Sequence, residues 1–166
     1  MSEACDGVLP WIKPGWVGVE IGTAGGDSAL ALLEHGARFL YLIDPWEGQD
    51  WWNAHAVLLK KLEKHQDRFA MLRMQSDQAA PFIPMVDFVW VDGDHRYENV
   101  ASDLAYYWKK VRVGGVMCGH DYTGGASEGV KRAVDEFARD RARKVYTRQS
   151  PYVHEYILCW IIPKVI

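Results

Sequence analysis

Two short motifs carry the residues best suited to chemistry: Val-Asp-Gly-Asp-His-Arg-Tyr at 91–97 and Cys-Gly-His-Asp-Tyr at 118–122. Each follows an apolar run, Val86–Val91 and Val116–Gly119, that reads as a buried strand. Asp92, His120 and Asp121 would then meet at neighbouring strand ends. Two carboxylates and an imidazole there can hold a divalent cation. Carboxylates with water suit Mg²⁺, and the imidazole admits Mn²⁺ or another transition metal. Asp94 and His95 lie beside them. Each of these residues also has a plain structural use as a cap of a turn or helix start. Only their convergence makes a site.

A second group stands near the start of the chain, in Val-Gly-Val-Glu-Ile-Gly-Thr-Ala-Gly-Gly-Asp-Ser at 17–28. An apolar strand carrying Glu20 runs into a glycine-rich turn and then a helical stretch. Glycine lets the backbone approach a ligand closely, and free N–H groups at a helix start attract polar or anionic groups. The spacing G-x-G-x-x-G is absent, because Ala24 occupies the second glycine position. A carboxylate beside the turn suits an amino group better than a pyrophosphate. Asp44 follows Gly22 by 22 residues, near the offset at which an acid grips ribose hydroxyls. With Ser76 and Asp77 after the third strand, these residues suit a nucleoside.

The elements that must position both groups alternate. Strands are expected at 16–21, 39–43, 70–74, 86–91 and 116–119, and helices at 27–35, 50–65, 97–111 and 127–141. A short helix is expected near Asp77, stopped by Pro81 or Pro84. Two last strands, 144–147 and 156–162, have only a turn around Gln149–Pro151 between them and should pair as an antiparallel hairpin at one edge. This predicts a single-domain α/β fold over 1–166. Its Rossmann-like seven-stranded sheet is mostly parallel, with helices on both faces.

Composition narrows the partners. The chain has 166 residues, is 49% apolar and 25% charged, and carries a net charge of −3. The basic groups Lys131–Arg132 and Arg139–Arg143 fall on an expected helix face, so nucleic acid has no electrostatic support as a partner, and no membrane partner is expected. No apolar run reaches transmembrane length, and the N-terminus lacks a signal-peptide pattern. Cys5, Cys118 and Cys159 form no C-x-x-C pair; Cys118 and Cys159 fall on expected strands and read as buried thiols, which fits a cytoplasmic location. Trp46, Trp51 and Trp52 crowd after the second strand, either as an aromatic pocket wall or lid or as ordinary packing.

From about Trp16 to Ile162 the chain resembles the class I S-adenosylmethionine-dependent methyltransferases, and within them the small metal-dependent O-methyltransferase group that includes catechol and macrolide-sugar O-methyltransferases. The motifs at 19–28, 86–100 and 113–122 carry the resemblance. It implies that Glu20 faces the methionine amino group, that Asp44 holds the ribose, and that Ser76 and Asp77 lie near the adenine. The cofactor set it implies is Glu20, Gly22, Thr23, Gly26, Ser28, Asp44, Trp46, Ser76, Asp77 and Asp92. Asp92 and Asp121 match metal-ligand positions, and His120 matches a third, where relatives carry an acid or an amide. His95 matches the general base. The implied reaction is methyl transfer from S-adenosylmethionine to a hydroxyl of a small molecule, with Mg²⁺ or Mn²⁺ assisting. Relatives often carry extra helices before the first strand. Only about 15 residues stand there in this chain, so the pocket is more open, capped by Trp46–Trp52 and the termini, or closed by a partner subunit of a homo-oligomer. A cofactor-binding protein without transferase activity and an NAD(P)-dependent oxidoreductase are the alternatives.

Overall fold

The computed structural model describes residues 5–47, 51–123, 128–149 and 158–165, with the side chains of Trp51 and Trp52 outside that description. Seven strands form one sheet: β1 (Val17–Ile21), β2 (Phe39–Asp44), β3 (Phe69–Arg73), β4 (Val86–Val91), β5 (Val111–Gly119), β6 (Tyr146–Gln149) and β7 (Leu158–Pro163). Their order is β3-β2-β1-β4-β5-β7-β6. The first five strands pair in parallel, while β7 runs antiparallel to both β5 and β6. The expected hairpin is present, and its second strand lies inside its first. The order reverses beside β1, so the carboxyl ends of β1 and β4 diverge into a crevice, where open α/β sheets bind ligands.

Alternation along the strands sends side chains to two cores. Val89 and Val91 of β4 face α4 (Tyr97–Trp108) and α5 (Glu128–Asp140), packing with Leu104, Tyr107 and Val134. Phe88 and Trp90 face the opposite side, with Leu32 and Leu33 of α1 (Asp27–Glu34), Leu58 of α2 (Trp51–Lys61) and Val8 and Ile12 of the N-terminal segment. Burying an aliphatic or aromatic side chain in this way stabilises by about 1.5–3 kcal/mol. Cys118 and Cys159 are buried free thiols, as expected, and so is Cys5. No helix among the described residues is long and apolar enough to cross a membrane.

Three boundaries differ from expectation by three residues or more. Helix α4 ends at Trp108 rather than 111, and β5 begins at Val111 rather than 116. The Gly114–Gly115 pair looks like a helix stop in sequence. It is instead an irregularity within the ladder. Val111 pairs with Val86 before the register shifts, and Gly114 takes φ +89. The helix expected over 50–65 stops at Lys61 and gives way to a 3-10 turn, Glu63–Arg68. Asp50, Ser127, Pro151 and Tyr156, invoked as ends of elements or of a turn, lie outside the described residues.

Candidate active site

The turn after β1 is wound tightly against β4. Gly22 has φ +85, and a Cβ there would stand 2.2 Å from the Asp92 carbonyl oxygen. Only glycine fits such a contact at positive φ. Gly26, at φ +78, caps α1 and would drive a Cβ to 2.2 Å from Leu58 Cδ1. Asp44, at the end of β2, fastens the turn. One carboxylate oxygen accepts from Ala24 N at 2.9 Å and the other from Trp46 N at 2.7 Å. Both of those residues take left-handed φ, 44° and 42°, a conformation non-glycine residues adopt at some energetic cost.

Below the turn a cavity of about 550 Å³ opens, within the range that encloses a nucleoside-sized ligand. Gly22, Asp44, Ser76, Asp77 and Asp92 line it. So do Asp94, Arg96, Asn99, Ser102 and Asp103, which come from the β4–α4 turn and one face of α4. Asp103 is buried, accepts a hydrogen bond from Ser76 Oγ, and has its carboxyl pushed up to about 6, chiefly by burial. Tyr107 donates to the Ser76 carbonyl at 2.6 Å. The Arg96 guanidinium holds the Asp94 carboxyl well below the usual carboxylate range.

A second, small cavity of about 10 Å³ adjoins the first and shares Asp92, Gly93 and Asp94 with it. His95, His120 and Asp121 complete its polar lining. His120 Nδ1 lies 3.1 Å from Asp121 Oδ2 and 3.9 Å from Asp92 Oδ1, and His95 Nε2 lies 3.2 Å from Asp121 Oδ2. Asp92, His95 and Asp121 each offer one ligand atom within 4.8 Å of the others. Burial pushes the Asp92 carboxyl up to about 7, opposed by His120 and assisted by Asp121. Burial disfavours the His120 imidazolium, but its hydrogen bond to Asp121 and the charge of Asp92 outweigh that and raise its pKa. His120 Nε2 and Glu20 Oε2 are buried without a hydrogen-bond partner among the described residues. Burial, then the charge of Asp92, pushes the Glu20 carboxyl well up. Buried polar atoms without partners are costly, so a set of them beside a cavity points to a ligand.

Residues 19–122, well over half of the chain, match the family described as Methyltransferase domain. The chain belongs to that family. Over 76 residues it is 36% identical to an uncharacterized protein of Acanthamoeba polyphaga mimivirus, a match covering 45% of this chain and 33% of that relative, so the chain spans about a third of the relative's length. Solved structures share the fold. An rRNA methylase from Streptococcus thermophilus has TM-score 0.72 at 11% identity, over 97% of this chain and 93% of that one. Aeropyrum pernix fibrillarin with bound S-adenosyl-L-methionine has TM-score 0.68 at 17% identity, over 96% and 72%. Precorrin 8w decarboxylase from Methanobacterium thermoautotrophicum has TM-score 0.69 at 20% identity, over 92% and 83%. At such identities the likeness is one of fold, that of the S-adenosylmethionine-dependent methyltransferases.

In this methyltransferase domain the expected residues divide. Gly22, Asp44, Ser76, Asp77 and Asp92 line the large cavity. Glu20, Thr23 and Ser28 are buried behind it, and Gly26 supports the turn from α2's side. Trp46 is buried in the α1–α2 core, its indole N–H donating to the Ala24 carbonyl at 3.1 Å, so it is packing rather than a pocket wall. The side chains of Trp51 and Trp52 lie outside the described residues. Asp92, His120 and Asp121 do converge, joined by His95. Sequence reading missed Arg96, Asn99, Ser102 and Asp103. The available signal was Asp103 itself, a carboxylate among the apolar positions Val100, Leu104 and Tyr107 of one helix.

Proposed function

We propose that this methyltransferase domain moves the methyl group of S-adenosylmethionine onto a hydroxyl of a small molecule with a divalent cation at the site, as in the metal-dependent O-methyltransferase group it resembles. The observation that carries the reading is Asp92. It belongs at once to the nucleoside-sized cavity and to the His95–His120–Asp121 cluster. A cofactor bound along Asp44, Ser76 and Asp77 would end where an acceptor can be held.

The roles follow from chemistry. Each Asp44 oxygen keeps a lone pair for a ribose hydroxyl after its backbone bond. Glu20, ionised, would compensate the cofactor's amino group. Asp92 and Asp121, with His120, would hold Mg²⁺ or Mn²⁺, which when bound lowers the pKa of an acceptor hydroxyl and fixes its position. His95 accepts the hydroxyl proton as the oxygen–methyl bond forms and the methyl–sulfonium bond breaks, leaving a neutral thioether. Asp121 beside it stabilises the resulting imidazolium. Five aspartates line the large cavity, Asp44, Asp77, Asp92, Asp94 and Asp103, against Arg96 alone. That field disfavours a polyanionic acceptor and favours a small neutral or cationic one.

Calorimetry with S-adenosylmethionine and S-adenosylhomocysteine tests the cofactor reading, with binding of both expected. A panel of catechols and sugars, scored by S-adenosylhomocysteine release with and without chelator, tests the rest. Turnover should fall on chelation and return with Mg²⁺ or Mn²⁺. Binding of NADH with no response to S-adenosylmethionine would overturn the assignment.

A further inference from the structure

The opposite end of the sheet carries a different surface. Six residues of β4 at about 3.3 Å each place it roughly 20 Å from Asp92. Among the described residues, seven large apolar side chains are exposed, and five of them lie at this end: Phe82, Met85, Tyr106, Val113 and Val165. Val113, at 63%, and Phe82, at 69%, are the most exposed of all.

Cations surround them. Lys110 Nζ reaches the Ile83 carbonyl at 2.8 Å, and its own carbonyl accepts from Val86 N, tying it to the Phe82–Met85 turn. Lys164 Nζ donates to the carbonyls of Trp108 and Val111 at 2.8 and 2.7 Å, and its own carbonyl accepts from Gly114 N. Lys109, Arg112 and Arg143 complete the set. Among the described residues only Arg112 has a carboxylate partner, Asp87 at 3.1 Å. Burial and the neighbouring charge of Arg143 lower the pKa of Lys164, a sign that like charges crowd here. The carboxyl ends of α4 and α5 account for some cations near their carbonyls. They do not account for exposed aliphatics between those cations.

We propose that this end of the sheet docks onto an anionic lipid bilayer, with Phe82, Met85, Val113 and Val165 in the headgroup layer and the cations on the lipid charges. Apolar tips ringed by Lys and Arg match such an interface on both counts. A symmetric dimer through this face would set the cations of one copy against those of the other. A nucleic acid would use the cations but leave the aliphatics in water. The chain's net charge of −3 conceals the surface, because around these apolar side chains the cations outnumber their one carboxylate partner, Asp87. Docking here leaves the cavity facing away and free.

Co-sedimentation of the full chain with phosphatidylcholine vesicles, with and without phosphatidylserine, tests this. Binding is expected only with phosphatidylserine and should weaken as salt rises. Lys109→Glu should lower affinity at least about fivefold, and Val113→Asp should lower it by a similar factor, both at unchanged S-adenosylmethionine affinity. Val57→Asp, on α2 and half exposed, should sediment like wild type. No sedimentation with phosphatidylserine at low salt would overturn the proposal. Equal loss in Val57→Asp would also overturn it, as would capture of an RNA oligonucleotide in place of vesicles.

Discussion

At the carboxyl ends of the parallel strands, turn after turn delivers an acid: Glu20, Asp44, Asp77, Asp92 and Asp121. At the amino ends the turns deliver lysine, arginine and exposed aliphatics. The two ends also differ in how their polar groups are satisfied. Lys110 and Lys164 reach backbone carbonyls in good geometry. Glu20 Oε2 and His120 Nε2 are buried with no partner among the described residues, and Asp92 and Asp103 carry raised pKa values. At the first end the lysines are held by the backbone, although Arg143 Nε is buried without a partner among the described residues; the other end leaves a carboxylate oxygen and an imidazole nitrogen in that state near the cavities, which favours it as the place for a ligand.

Changes at the two ends should accordingly have unlike consequences. The largest concerns His95. His95→Ala should lower kcat about 10²–10⁴-fold with S-adenosylmethionine affinity nearly intact. Steady-state kinetics beside calorimetry decide it, and wild-type turnover would return His95 to a capping role. Next comes Asp103, whose carboxyl sits at about 6 in the fold and near 3.9 in an unfolded chain. The folded state therefore holds the proton more tightly. The stability this contributes is complete below about pH 4 and is lost as pH rises through about 6. Asp103→Asn, which still accepts from Ser76, should gain roughly 2–3 kcal/mol on wild type between those limits. Urea midpoints across that range would be parallel if burial were not the cause.

Asp44→Ala should weaken S-adenosylmethionine binding by about 1–3 kcal/mol through lost hydrogen bonds to a charged group. Unaltered affinity in calorimetry would remove Asp44 from the ribose site. The smallest effect belongs to the far end. Val113→Asp should change unfolding free energy by no more than about 0.5 kcal/mol and cofactor affinity not at all. A large loss of either would mean that the two ends are coupled through the sheet.

Much of the fold was legible because each level of pattern agreed. Apolar runs of strand length alternated with amphipathic stretches, and four of the five parallel runs ended on an acid or a glycine. Where sequence reading slipped, tertiary pairing overrode local signals. Gly114–Gly115 marks an irregular strand, since Val111 finds Val86 across the ladder. The strand-end acids were legible from position alone. The α4 contribution was not, because Asn99, Ser102 and Asp103 become cavity walls only when α4 lies against the start of α3 (Ser76–Ala79) through Ser76 and Tyr107. Trp46 illustrates the converse. Its place beside other tryptophans left a pocket wall and ordinary packing both open, and a left-handed backbone with an indole bond to Ala24 accompanies its place in the core.

One carboxylate, Asp44, holds the amides of both Ala24 and Trp46, two residues in left-handed backbone. The dependence runs one way. A replacement at 44 releases two strained residues together, whereas a replacement at 24 or 46, proline aside, keeps the backbone N–H that the acid accepts. Among descendants of this chain the acid should stay while its two neighbours drift, and a glycine gained at 24 or 46 would ease the left-handed backbone that the acid now holds.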